Sequence, residues 1–410
     1  MNSEKKSAGP RIVALGRGST RLPLAKRYFD SIEVLDGFDS VPLSDILLRR
    51  IRLIAVPSRR ETRGRSARAK RSLAKAMGLS LSSEIARRNL ADCFFGDHGP
   101  KVLFAPSETA ARFYRTHLSP LGFQVLELKD ETSPIRLGAF FRRAAKLLAS
   151  CGPDRSEGLT VFTDMHEAPL LRLYRKLHPA RRIVLRFHDR IEGGLGGRAP
   201  SAQRVILSAR ALRSKGVVDE LESYSRSDAA ALGGLYRPNG VNPDVMSGYD
   251  RPSRDCLWFF MGSPGQGVER TKVLGALRAA LLSACPGLDR WLVEKTAGES
   301  SQWLPYADYL RLCAGAEVMV DLVRIGQDEG YSFRMAEALF LNRKIITNRS
   351  TAAGEPFDRP GRLFLIGRDS PETLWSFLQT EPQPLEPEAL RPIDARLWWT
   401  PEDPAEAVRQ

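Results

Sequence analysis

Two successive series of short β-rich runs, most of them followed by a helical stretch, limit this chain to few architectures. Alternation of that kind is what a parallel sheet wrapped by helices requires. The first series gives strands at 12–15, 32–35, 53–56, 102–105, 124–128, 160–162 and 183–187, with helices at 67–77, 108–117, 137–148 and 169–177. After the turn Pro238-Asn239-Gly240 a second series gives strands at 257–261, 291–294, 317–322, 344–347 and 363–366, with helices at 271–284, 305–314 and 333–341. The expected class is α/β, with two Rossmann-like doubly wound domains facing across a cleft. Open sheets of this kind bind ligands beyond the carboxyl ends of their strands. The expected divisions are an N-terminal domain over 11–235, a C-terminal domain over 236–370, and a helix with a Pro-rich tail over 371–410 that packs back through Trp398-Trp399.

A chain of 410 residues is too long for one ordinary core. Its 42% hydrophobic and 27% charged residues are those of a soluble globular protein. No apolar run approaches the roughly 18 to 20 residues that span a bilayer, and the polar start from Met1 to Pro10 lacks the core of a signal peptide. A cytoplasmic location is expected. The five cysteines, Cys93, Cys151, Cys256, Cys285 and Cys313, are odd in number and widely spaced, against both a disulfide framework and a zinc site. The net charge of +14 lies entirely in residues 1–150, which hold 28 Lys and Arg against 14 Asp and Glu. The densest run, Arg59, Arg60, Arg63, Arg65, Arg68, Lys70 and Arg71, is either a solvated helix face or a patch that attracts a polyanion: an anionic membrane surface, an acidic glycan lipid or nucleic acid.

The segment from Glu329 to Glu337 carries the most chemistry. Glu329 precedes Gly330 and belongs to a loop, whereas Glu337 lies within an apolar helical stretch. At a rise of about 1.5 Å per residue the two acids stand roughly 12 Å apart along the axis. Between them lie the unpaired amides of a helix start, which with the helix dipole attract phosphate. A sugar nucleotide has that layout: sugar hydroxyls, a diphosphate, then ribose hydroxyls.

Four further patterns precede it in order: Thr163-Asp164-Met165-His166-Glu167 after a strand; Arg186-Phe187-His188-Asp189 at a strand's end; Val218 to Pro243, with Ser225-Arg226-Ser227-Asp228 and the Pro-Asn-Gly turn; and the strand Trp258 to Met261 into Gly262, then Arg270 and Lys272. Together the five resemble the GT-B glycosyltransferases, in particular the large retaining group with the E-x7-E motif (glycosyltransferase group 1, family 4-like) that includes bacterial surface-polysaccharide enzymes. The resemblance covers roughly residues 160–350. It implies that Glu337 holds the donor ribose, that Glu329 and His188 face the transferred sugar as the catalytic pair, and that Gly330, Tyr331, Ser332, Arg334, Arg270, Lys272 and Gly262 bind the donor. Acceptor-side candidates are Gly16, Gly18, His166 and Asp189.

Two departures from the family stand out. Relatives carry Arg or Lys directly after the strand-ending glycine, where this chain has Ser263, so the diphosphate grip falls to Arg270, Lys272 and Arg334. Relatives also place glycine and proline where this chain has Asn342-Arg343-Lys344. Gly16-Arg17-Gly18-Ser19 lacks the third glycine of a dinucleotide fingerprint, so no resident cofactor is expected. No Asp-x-Asp occurs, so metal independence is expected, with helix amides and basic side chains meeting the leaving group's charge. The implied activity is hexosyl transfer from a nucleotide-diphosphate-sugar donor to a polysaccharide, lipopolysaccharide or lipid-linked glycan acceptor. The basic N-terminal part would then meet an anionic acceptor at the inner membrane face. Rival readings are a sugar-nucleotide epimerase-like enzyme of the same fold, and a nucleic-acid-binding protein with a non-catalytic cleft. The second is disfavoured because residues 58–71 hold no aromatic to stack on bases.

Overall fold

The computed structural model describes residues 11–15, 33–35, 51–54, 93–96, 98–128, 152–165, 167–191, 202–249, 255–262, 268–288, 292–296, 304–323, 329–400 and 403. Two compact units divide the chain. The first comprises Met1–Asp97 with Glu127–Pro153, and the second His98–Leu126 with Asp154–Gln410. In the first unit β1 (Arg11–Leu15), β2 (Glu33–Leu35) and β3 (Ile51–Ile54) form a parallel sheet in the order β2-β1-β3. The expected domain over 11–235 therefore draws its described strands from two sheets. The helices expected at 67–77 and 137–148, and the basic run at 59–71, lie outside the described residues.

The second unit has two lobes. One is a six-stranded parallel sheet in which β4 (Lys101–Ala105) lies between β5 (Phe123–Glu127) and β6 (Leu159–Thr163), followed by β7 (Arg182–Phe187), β8 (Glu220–Ser223) and β9 (Leu235–Tyr236). Its helices are α1 (Glu108–Leu118), α2 (Ala168–Leu177), α3 (Ala202–Ser214) and α4 (Arg226–Leu232). The short α5 (Pro243–Ser247), capped by Asn242, follows the Pro-Asn-Gly turn. The other lobe is a five-stranded parallel sheet in the order β11-β10-β12-β13-β14, from Leu292–Thr296, Cys256–Gly262, Ala316–Asp321, Lys344–Thr347 and Leu363–Leu365. It carries α6 (Val268–Ala284), α7 (Tyr306–Gly315), α8 (Phe333–Phe340) and α9 (Leu374–Gln379). The α/β class with two doubly wound parallel sheets is thus what the chain has. The order of the five-stranded sheet reverses between β10 and β12, a switch point of the kind that opens a ligand crevice.

Both faces of the five-stranded sheet are covered, so its strands are near-continuously apolar. Trp258, Phe260, Val318, Val320 and Ile346 pack with Leu274, Leu277 and Leu281 of α6, while Phe259, Met319 and Ile345 share the other core with Tyr309, Met335 and Ala336. Asn342 follows α8 with φ of 53°, in the left-handed backbone that commonly ends a helix, and its Oδ1 accepts from Arg362 Nη2 at 2.9 Å.

Two strands, β8 and β9, were not expected. Strand β8 reads Glu-Leu-Glu-Ser, which suggests a wet face, yet all four residues are buried. Glu222 is held between Arg186 (3.4 Å) and Arg237 (2.8 Å), and Arg237 also meets Asp403 of the tail at 2.5 Å. Burial would raise the Glu222 pKa, but the Arg237 and Arg186 charges outweigh it and hold it low. Trp399 donates from Nε1 to Glu222 at 3.0 Å, and Arg186 lies 4.7 Å over the Trp398 ring. Both tryptophans are buried. Of the described cysteines, Cys93, Cys256 and Cys313 are buried and none is in a disulfide. Among the described residues no helix is long and apolar enough to cross a membrane.

Candidate active site at the strand ends

A cavity of about 480 Å³ opens between the two lobes of the second unit. Its walls are the residues that follow strands: Ser107 beyond β4, His188 and Asp189 beyond β7, Tyr224 beyond β8, Met261 in β10, Asp321 to Val323 at the end of β12 and Arg349 beyond β13. Ser332, Phe333, Arg334 and Glu337 come from the start of α8, and Tyr306 and Tyr309 from α7. The reversal of strand order leaves the β10 and β12 ends with their following helices on opposite faces, and the space between becomes the binding crevice.

Glu337 stands at the inner end, 1% exposed. Tyr306 donates to its Oε1 at 2.5 Å and Tyr309 to its Oε2 at 2.6 Å. Tyr306 is in turn 2.7 Å from His117 Nε2, whose Nδ1 accepts the Asn242 backbone N–H at 3.1 Å. Accepting at Nδ1 places the ring proton on Nε2, so the chain runs one way: Asn242 to His117 to Tyr306 to Glu337. Burial lowers the His117 pKa to about 3, which keeps the ring neutral. Burial raises the Glu337 pKa to about 7, against the tyrosine hydrogen bonds and the Arg334 charge that lower it.

The sign of the resulting pH effect follows. A carboxyl whose pKa rises on folding stabilises the fold fully below its unfolded pKa, and that stability is lost as pH climbs through the folded value. Wild type should therefore lose up to about 3 kcal/mol relative to Glu337→Gln between its ordinary 4.5 and about 7. Urea titrations across this window measure it, and parallel curves for the two proteins would show that the acid stays ionised throughout.

Ser332 caps α8, its Oγ accepting from Met335 N at 3.1 Å. Arg334 Nη1 meets Asp321 Oδ1 at 3.0 Å, and Arg270 also lines the cavity. On the opposite wall the Nδ1 of His188 is paired with the Asp164 carboxylate, whose Oδ1 also accepts the His188 N–H at 3.0 Å. Burial works against a charged His188, but the charge and hydrogen bond of Asp164 prevail and raise its pKa. Its Nε2 lies 4.0 Å from Asp189 Oδ2. Asp164, His188 and Asp189 bring potential metal-ligand atoms within 4.8 Å of one another. With Asp164 paired to the imidazole and to backbone amides, hydrogen bonding already accounts for that arrangement.

Five of the expected site residues do not line the cavity. Glu329 accepts at Oε2 from Ser225 Oγ (2.7 Å), Ser227 Oγ (2.7 Å) and Ser227 N (3.0 Å), so it clasps the start of α4 in the other lobe. Burial opposes its charge, and those bonds outweigh burial to lower its pKa. Gly330, at φ of +73°, makes its close approach to the Tyr224 carbonyl. Tyr331 is 5% exposed and donates to Glu355. Lys272 is exposed while Arg270 lines the cavity, because residues two apart on a helix point to different sides. Gly262 ends β10, where an added Cβ would meet the Phe260 ring at 2.7 Å. Gly16, Gly18 and His166 lie outside the described residues.

Sequence reasoning missed Tyr306, Tyr309, Asp321 and Arg349. The last two sit at or just beyond the carboxyl ends of strands, so strand position was the signal for them. The tyrosines are three apart on α7, which puts them on one face.

Fold and cavity together define a two-lobed α/β unit with a ligand crevice at its strand ends. No family model and no curated protein matches the chain. Among solved structures, an alpha,alpha-trehalose-phosphate synthase (UDP-forming) from Burkholderia vietnamiensis is similar at 11% identity and a TM-score of 0.42, over 73% of this chain and 94% of that one. The N-terminal domain of Candida albicans trehalose-6-phosphate phosphatase is similar at 11% identity and a TM-score of 0.38, over 95% and 93%. Likenesses so remote carry nothing about what this chain does.

Proposed function

We propose that the protein is a GT-B-like glycosyltransferase that moves a sugar from a nucleoside-diphosphate-sugar to a hydroxyl of a glycan or lipid-linked acceptor, with retention and without a metal. The observation that carries this reading is the company kept by Glu337. Its carboxylate, the Ser332 helix start and the guanidinia of Arg270 and Arg334 line one cavity, with His188 and Asp189 on the facing wall. A carboxylate oxygen has two lone pairs, so Glu337 can accept a ribose hydroxyl beside its tyrosine bond. The helix amides and arginines would meet the diphosphate, whose negative charge grows as the bond to the sugar breaks. His188, whose pKa the Asp164 carboxylate raises against burial, would in its charged form donate from Nε2 to a sugar oxygen. In this reading Glu329 acts by holding the lobes together, and the basic first 150 residues favour an anionic acceptor.

A thermal-shift panel of UDP-, GDP-, dTDP- and CMP-sugars, with and without chelator, tests it. One donor, at about 100 times its dissociation constant, should stabilise wild type by about 2.7 kcal/mol. Glu337→Ala should abolish the shift. A wild-type protein that responds to none of the sugars or free nucleotides, or a Glu337→Ala variant that responds fully, would sink the reading.

A further inference from the structure

The helices on one face of the six-stranded sheet carry charge of a single sign. Strands β6, β7 and β8 follow one another across the sheet, so right-handed crossovers set α2 and α3 side by side on one face, where they pack together. Helix α1, between β4 and β5, runs the other way and covers the opposite face. On α1 the cations are answered within the helix, since Glu108 pairs with Arg112 and Arg115. Neither α2 nor α3 holds an acid. Arg172 and Lys176 of α2, Arg204 and Arg210 of α3, and Lys215 just beyond it are exposed, and none of them pairs with a described carboxylate. Arg175 and Arg213 are engaged, by Asp219 and by the Gly233 carbonyl.

Helix stability explains part of this. Lys176 and Lys215 stand at the carboxyl ends of their helices, where the dipole favours a cation. Arg204 gains nothing that way, because it is the third residue of α3, where the dipole favours an acid. Leu207 is the second feature that the fold does not require. Among the described residues it is the one large apolar side chain that stands exposed, at 56%, with Ile206 half-buried beside it. Arg204 and Arg210 lie three positions to either side, on the same strip of helix. Residues 151–410 carry no net charge, so this is a local concentration and no share of a general excess. A surface that is anionic outside and apolar just beneath answers both features: long cationic side chains meet its head groups, and a leucine among them enters the acyl boundary. Nucleic acid would answer the charge and leave the leucine unused. We propose that the face formed by α2 and α3 docks the protein on an anionic lipid bilayer, with Leu207 as the inserted apolar contact. This does not depend on the nucleotide-sugar reading.

Vesicle flotation of the full chain tests it, with phosphatidylcholine alone and with phosphatidylcholine and phosphatidylglycerol in equal parts. Wild type is compared with the double variants Arg204→Gln/Arg210→Gln and Arg172→Gln/Lys176→Gln, and with Leu207→Gln. Wild type should float with the anionic vesicles and stay behind with the neutral ones. Each cation removed should weaken partitioning about fivefold, and each double variant about thirtyfold, with the loss shrinking as salt is raised. Leu207→Gln should weaken it about five- to tenfold, with little dependence on salt. The basic run at 59–71 is the same in every variant, so double variants that float like wild type would put the contact elsewhere and overturn the proposal. A wild type that ignores anionic vesicles, or floats equally with neutral ones, would overturn it as well. Leu207→Gln floating like wild type also rejects bilayer docking, and a short DNA duplex whose binding is lost only in the double variants would then name nucleic acid as the partner. All these side chains are exposed, so the variants should melt with wild type. Should one fail to fold, the other two must show their losses, or the proposal falls.

Discussion

Gly330→Ala should destabilise the second unit by about 4 kcal/mol. The residue sits at φ of +73°, where an L side chain costs about 1 to 2 kcal/mol, a little of which is recovered from the stiffer unfolded chain. Space adds the larger part. A Cβ at this position would stand 2.1 Å from the Tyr224 carbonyl oxygen and 2.9 Å from its ring, so the loop must leave the other lobe. Leaving takes the Glu329 carboxylate from Ser225 and Ser227, and charge-assisted bonds of that kind contribute about 1.5 to 3 kcal/mol each. Thermal melting is the measurement. Glu329→Ala serves as control, since it removes the clasp without the clash and should cost less. If Gly330→Ala melts with wild type, the two backbones do not approach as described.

Asp403→Ala is the second large effect, at about 3 kcal/mol. Glu222, Asp403, Arg186 and Arg237 are all essentially buried, two of each sign. Removing one acid leaves an unmatched guanidinium in the interior, which typically costs about 3 to 5 kcal/mol, here reduced because Glu222 remains beside Arg237. The carboxylate also accepts the Trp399 N–H at 2.5 Å, so the tail loosens with it. Urea unfolding followed by tryptophan fluorescence should show both a lower midpoint and an early change in the Trp398-Trp399 signal. Asp403→Asn should recover part of the loss by keeping a hydrogen-bond acceptor, and a variant as stable as wild type would mean the charges are not coupled.

Much of the architecture was legible because parallel strands covered on both sides must be apolar. Strand β13 lies at 344–347 as its Lys-Ile-Ile-Thr pattern indicates, and α8 starts where Ser332 caps it. Strand β8 escaped because its acids mimic a solvent face, and only the arginines brought from β7 and beyond β9 make them interior residues. The site divided the same way. Glu337, Ser332, Arg334, Arg270 and His188 were legible through local pattern and family resemblance, and all five line the cavity. Glu329 was placed beside the sugar, whereas its partners are serines about a hundred positions earlier; no local pattern carries that distance. Arg349 and Asp321 carry no motif and become visible only when two strand ends meet.

The one-way chain ending at Glu337 has a further meaning. With phenolic protons already on both oxygens, the acid never faces an empty socket, so a guest hydroxyl wins only the margin between its own bond and the one it crowds or displaces. Shifting Tyr306 would also strip His117 of its acceptor, and that imidazole belongs to the opposite lobe. Occupancy at the deep end is thereby felt on the far wall through a single side chain, without either sheet having to bend.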